Sequence, residues 1–388
     1  MFADDLPRIS FHDPDAALTQ LLEWLEENID PLHLAAVDER HVRALEWQPV
    51  DRVPLTFSAP VAPPLSVYPY SQVFRDPVKM LVNELIGPYA VMGHTPSIVN
   101  SVLIKDDFPL QIRAAYGVGL YVSLFGGRSE VVENNFPWTR PIGLEALKRQ
   151  VSAGPPEIRS DLLDRVLETM AFYKRALASY PKCREHLRIT QPDMQGPFEN
   201  AGHLWGSEVF TSFYDDPLFL RELLELLADT WIRLCWTVAA ASTQTVREGY
   251  IAQHFSIFKG DCLLKDDSCV MISPHTYAEF IQPLNEKVLS VLGSGGIHWC
   301  GNGDQWQNEV VSTSNLACLD WGNPEMLDLE TWSDVLRERR LPVAQMGWWP
   351  RDDAPDPTAL FPTGASFTVY VEHLEQATEI LARGTLTG

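Results

Sequence analysis

From Val118 to Arg383 the chain alternates strand-like and helix-like runs, and this alternation constrains the fold more than any other feature. The strand-like runs are Val118–Phe125, Leu187–Gln191, Ile251–Ile257, Gly296–Cys300, Leu316–Trp321, Pro342–Met346 and Phe367–Val371. The helical runs are Leu144–Val151, Ser160–Ser179, Pro217–Ser242, Pro274–Leu292, Leu329–Arg339 and Leu374–Arg383. Asp216-Pro217 and Ser273-Pro274 each place a capping side chain before a proline, which marks a helix start. Upstream, Asp51–Phe57 opens a short strand, and Asp76–Ile86 reads as helix. Between them Ala59–Tyr70 holds four prolines and reads as a loop or lid. Parallel strands need crossover connections, so alternation of this kind predicts a parallel sheet flanked by helices. About eight strands in about 330 residues predict an α/β fold of the (β/α)8 TIM-barrel type rather than an open sheet. No G-x-G-x-x-G follows a strand, so a dinucleotide-binding fold has no direct support. Leu18, Leu21, Leu22, Trp24 and Leu25 recur at helical spacing. The expected organisation is a helical extension over 1–50 and a barrel over 51–388.

Charge and composition narrow the partners. The formal net charge is −22, and no Lys/Arg cluster offsets it. Such a surface repels a phosphate backbone, so nucleic acid is not expected as a partner. A small anionic substrate is still compatible, because a few arginines in a pocket reverse the local sign. No run of about 18 apolar residues exists, so no membrane span is expected. The N-terminal stretch lacks the basic and apolar regions of a signal peptide, and the expected location is cytoplasmic. Six cysteines in 388 residues are too sparse for a disulfide scaffold, so reduced thiols are expected.

A barrel places its catalytic groups at the C-terminal ends of the strands. That is where GGIHWCGNG carries its polar residues. Residues two apart on a strand face the same way, with Cα atoms about 6–7 Å apart. His298 and Cys300 are therefore a candidate pair of zinc ligands, with Ile297 and Trp299 facing the helices. The alternative is a histidine bonded to backbone and a cysteine filling a core gap. Cys318 lies on the next strand and shares a face with Leu316 and Asp320. It is a candidate third ligand or a buried structural thiol, and Asp320, at the strand end, is a candidate catalytic acid. The loop QPDMQGPF follows the strand LRIT, and its Gly-Pro can bring backbone close to a ligand. There Asp193 can accept hydrogen bonds from substrate or help to hold a metal, or the loop chemistry is structural only. Lys265-Asp266-Asp267 offers paired carboxylates, for a cation or for acid and base roles, or a solvated loop. Arg113 is a candidate clamp for a carboxylate or phosphate, or a surface ion-pair partner.

Taken together, DRVPL (51–55), DDFPLQIRAAYGVG (106–119), SLFGG (123–127), QPDMQGPFENA (191–201), YDDP (214–217), KDDSCVMISPHTYAEFIQP (265–283) and GGIHWCGNG (295–303) resemble the uroporphyrinogen decarboxylase superfamily. The resemblance implies a (β/α)8 barrel. It also implies one of two activities. One is zinc-dependent transfer of a methyl group between a corrinoid (cobalamin) and a thiol or related acceptor. The other is cofactor-free decarboxylation of uroporphyrinogen or a similar tetrapyrrole. A non-catalytic barrel that binds a corrinoid or tetrapyrrole is a third reading. The decarboxylases carry an arginine-rich segment after the first motif, whereas this chain reads LTFSAPVAPPLSVYPY there. The methyltransferase branch matches at His298, Cys300 and Gly301, and is the expected activity. That branch completes its zinc site with a further cysteine near the C-terminus. Here PTGASFTVYVEH has none, so the site is either incomplete or completed by Cys318, Asp267 or Glu372. The expected catalytic residues are Asp193, Asp320 and His298. Arg113, Gln191, Gly196, Phe198 and Asn302 are the expected substrate contacts. No corrinoid-binding motif is visible in the chain, so the corrinoid would arrive on a separate partner protein.

Overall fold

The computed structural model describes residues 9–58, 68–92, 106–132, 135, 137–350, 356–372 and 374–383. Its centre is a six-stranded, all-parallel sheet. The strands lie in the order Leu55–Ser58, Ala365–Tyr370, Val343–Trp348, Leu316–Trp321, Gly295–Trp299, Cys262–Lys265. Gln111–Arg113 and Arg188–Thr190 form a separate parallel pair. Among the described residues no continuous ladder joins this pair to the six-stranded sheet. The architecture is a mixed α/β fold, consistent with a TIM-like arrangement. Gly295–Trp299 and Val343–Trp348 are buried along their whole length, as strands covered on both faces must be.

The helices begin where capping chemistry starts them. Asp216 accepts from the Phe219 N–H at the head of Pro217–Ala241, and Ser273 accepts from the Thr276 N–H. The N-terminal helical pattern resolves into Pro14–Asn28 and Pro31–Leu45, each with an aspartate cap and a first-turn proline. The first packs on the helix Pro77–Met92, and the second on the strands Ser256–Lys259 and Ala365–Tyr370. Buried Asp107 ties this layer to the sheet. Its carboxylate accepts from Arg40 at 2.5 Å, from Arg52 and from the Leu55 N–H at 2.9 Å, and its carbonyl lies 2.8 Å from His41 Nε2.

Two strand expectations need correction. Val118–Phe125 is not a strand: Gly119–Ser123 is a short buried helix, and the Tyr121 hydroxyl donates to the Leu227 carbonyl at 2.6 Å. A short apolar run has no period that separates buried helix from buried strand. Ile251–Ile257 is not one strand but two, Tyr250–Gln253 and Ser256–Lys259, paired antiparallel. His254 and Phe255 turn the chain with φ of 47° and 69°. Of the Ala59–Tyr70 loop, residues 59–67 lie outside the described residues. Among the described residues, no helix is long and apolar enough to cross a membrane.

Candidate metal centre

Three adjacent strand ends assemble the site. Parallel register sets His298 beside Lys265 on one neighbour and beside Asp320 on the other. All three residues lie at the C-terminal ends of their strands. Trp299 points the opposite way, into an aromatic cluster with Trp306, Trp321 and Trp332. That cluster braces the strand from the helix side, which leaves His298 facing the site.

The His298 ring is almost fully buried and is engaged on both edges. Nδ1 lies 2.9 Å from Asp320 Oδ2, in an off-axis contact that makes no in-line hydrogen bond. Nε2 lies 3.4 Å from Asp267 Oδ1 and 3.6 Å from Cys300 Sγ. Asp267 Oδ1 also accepts from the Cys300 N–H at 2.7 Å, which fixes the turn that follows the strand. In that turn Gly301 takes φ 95° and its N–H donates to Asn323 Oδ1 at 3.1 Å. Cys300 is an exposed residue, and its Sγ lies between His298 and Gly322.

A third strand pair adds His254, from the tip of the antiparallel hairpin. Its Nδ1 lies 2.8 Å from Asp320 Oδ2, and its ring meets His298 edge-on at 5.0 Å. Sequence reading did not single out His254, because nothing in IAQHFSIF marks it. Its signal is the turn itself, two consecutive non-glycine residues at positive φ.

The charges sort cleanly. Burial opposes ionisation of Asp320, but the two histidines outweigh it and hold the carboxyl well below its usual range. Burial also opposes protonation of His298, yet Asp320, Asp267 and Cys300 hold its imidazolium well above the ordinary value. Burial and the Lys265 ammonium push His254 down to about 4, so it is neutral at pH 7. Burial pushes Asp266, just behind Asp267, up to about 7. Among the described residues only Asn285 bonds the Asp266 carboxyl, and its Oδ1 has no partner.

Other expected site residues are placed as follows. Asp193 is locked by Lys265 Nζ at 2.8 Å and Gln195 Nε2 at 2.7 Å. Burial works against its charge, but Lys265 and Arg113 keep it ionised far below the usual range. Arg113 ends its strand with its guanidinium over the Phe255 ring at 5.8 Å. Gln191 is buried against Cys235, and Phe198 sits in the core against Phe210 and Phe213. Gly196 lets two backbones meet: its N–H donates to the Lys265 carbonyl at 2.8 Å, and a Cβ there would lie 2.3 Å from Asp266 Oδ1. Asn302 is exposed and accepts from the Asp304 N–H at 2.9 Å. Cys318 is buried one layer below Asp320, with Sγ 3.3 Å from the Lys259 carbonyl, and Glu372 is exposed. Neither belongs to the ligand groups among the described residues, whereas Asp267 does.

Asp267 Oδ1, His298 Nε2 and Cys300 Sγ all lie within 4.8 Å of one another. Carboxylate oxygen, imidazole nitrogen and thiolate sulfur form a donor set that suits zinc, and three protein donors leave a fourth position for substrate. A carboxylate that accepts the far ring N–H is the usual support of a metal-bound imidazole, and Asp320 stands 2.9 Å from that nitrogen of His298 in an off-axis contact. The residues present therefore fit a zinc ion. No protein-family model matches the chain, and no curated protein matches it in sequence. Among solved structures it is similar to a methyltransferase from Methanosarcina mazei, with a TM-score of 0.60 and 14% identity, over 87% of this chain and 93% of that one. At that identity the likeness shows the fold alone.

Proposed function

We propose that this chain is a methyltransferase that activates a thiol at a zinc centre formed by Asp267, His298 and Cys300, at the mouth of a closed (β/α)8 barrel. One observation carries the reading: Nε2 of His298 faces a thiol and a carboxylate, while its Nδ1 faces Asp320. The likeness to a solved methyltransferase and the sequence motifs support it. Zinc held there would lower the pKa of a coordinated substrate thiol and keep it as a thiolate. The protein's own residues prepare for this. His298 must give up its Nε2 proton to become a ligand, so metal binding releases a proton and tightens as pH rises. Cys300 stands at an exposed turn, where an incoming thiol can reach the centre. Arg113 supplies positive charge on the Asp193 side of the mouth, where the polar end of a substrate can rest. The methyl donor in this reading is a corrinoid carried by a separate protein.

Loss of the methyl group from methylcobalamin, followed by absorbance with a panel of thiols, tests the reaction. The reading expects thiol-dependent demethylation by the zinc-loaded protein and none by Cys300→Ala. Carbon dioxide release from uroporphyrinogen, with no methyl transfer to any thiol, would overturn it.

A further inference from the structure

We propose that His254 is a positioning residue: the hairpin tip uses its Nδ1–H to clamp Asp320, and Asp320 in turn aims His298 Nε2 at the metal. The inference rests on the zinc reading above and extends it to a residue outside the ligand set. Both imidazoles address one oxygen atom. His254 Nδ1 stands 2.8 Å from Asp320 Oδ2, and His298 Nδ1 stands 2.9 Å from the same oxygen. The two rings meet at 85°, so neither blocks the other's approach. His254 makes the directed hydrogen bond of the two, and the His298 contact is an off-axis approach to the same oxygen.

The clamp is held from several sides. The tip turns through two non-glycine residues at positive φ, a conformation that persists only where surrounding structure enforces it. Next to it the Phe255 N–H donates to Gln111 Oε1 at 3.2 Å, and Arg113 covers the Phe255 ring. Ser256 Oγ donates to the Ala344 carbonyl at 2.7 Å, and Ile257 and Phe258 are fully buried. Ser256 Oγ also lies 3.1 Å from Ser366 Oγ, so the hairpin is bonded to the strands Gln111–Arg113, Val343–Trp348 and Ala365–Tyr370 beside Asp320. Outer carboxylates and their partners typically control metal affinity by about 10–100-fold. Asn is the conservative probe, because its amide nitrogen, like imidazole Nδ1, is one bond from Cγ and can donate to the same oxygen.

The test measures zinc affinity by competition with a chromogenic chelator on full-length wild type, His254→Ala and His254→Asn, with thermal melting of each apo protein. The inference expects His254→Ala to bind zinc about 10–100-fold more weakly, and His254→Asn to recover most of that loss. If His254→Ala binds as tightly as wild type, the clamp is overturned. Equal weakness in both variants also overturns it, because the imidazole itself would then be what zinc requires. If the alanine variant does not fold, the asparagine variant decides: near-wild-type affinity supports the clamp and strong loss rejects it. A wild type that holds no zinc is a different outcome, and removes the metal reading itself.

Discussion

A Cβ at position 322 would lie 2.4 Å from Cys300 Sγ, so the thiol reaches His298 only across a bare glycine. Gly322→Ala should rotate Sγ away from Nε2 and lower zinc affinity about tenfold or more, with little change in melting temperature. Chelator competition alongside a thermal melt checks both halves of that expectation. Asp266 offers a second test at this scale. Its folded pKa is raised by burial to about 7, above the value of about 3.9 in an unfolded chain. The neutral carboxyl therefore contributes stability that is complete below about pH 4 and is lost as pH rises through 7. Asp266→Asn mimics the neutral form and leaves Asn285 a carbonyl acceptor. Its melting temperature should gain on wild type from pH 4 to 7 and level off above; a constant difference across that range contradicts the assignment. The closeness of His298 and Cys300 was legible because strand spacing sets residues two apart on one face, although the strand ends at Trp299 and Cys300 is held by Asp267 in the turn that follows. His254 was not, because it meets Asp320 across 66 positions and only the folded hairpin brings them together.

The strand Gly295–Trp299 delivers the central histidine, and its start is as tight as its end. A Cβ on Gly295 would lie 2.5 Å from the Cys262 carbonyl and 2.8 Å from Leu289. Backbone cannot yield there without moving the neighbouring strand, so Gly295→Ala should cost about 1–3 kcal/mol. Urea unfolding measures that loss, and a midpoint equal to that of wild type would show that the strands part more easily than their packing implies. The sequence marked this strand and the strands Leu316–Trp321, Val343–Trp348 and Ala365–Tyr370 of the same sheet through apolar runs bounded by turns. It hid Cys262–Lys265, whose four residues CLLK are too few to show a period and end in a lysine that turns out to be buried. It misread Val118–Phe125, where a fully apolar helix and a strand look alike. The hairpin was masked by its own tip: His254-Phe255 lacks the Asn-Gly signature that usually announces so tight a reversal.

For the molecule as a whole, alternation of elements carried most of the architecture. It led to a parallel sheet, and six strands in one parallel ladder with helices between them follow that pattern. The site was only partly legible at this scale. Long-range register, which no local pattern encodes, decided that Lys265, His298 and Asp320 share a layer and that Cys318 lies below it. Asp267, two residues past the strand Cys262–Lys265, comes to 3.4 Å from His298 and joins it and Cys300 in one candidate ligand group. Against a net charge of −22, Lys265 is buried in an ion pair with Asp193, and Arg113 lies over the Phe255 ring. The central claim, that the mouth is a zinc centre built by Asp267, His298 and Cys300, is tested most directly by metal analysis of the purified full-length protein after zinc reconstitution and dialysis. The account predicts one zinc per chain in wild type and strong loss in both His298→Ala and Cys300→Ala. Wild type without stoichiometric zinc, or variants that retain it, would contradict the account.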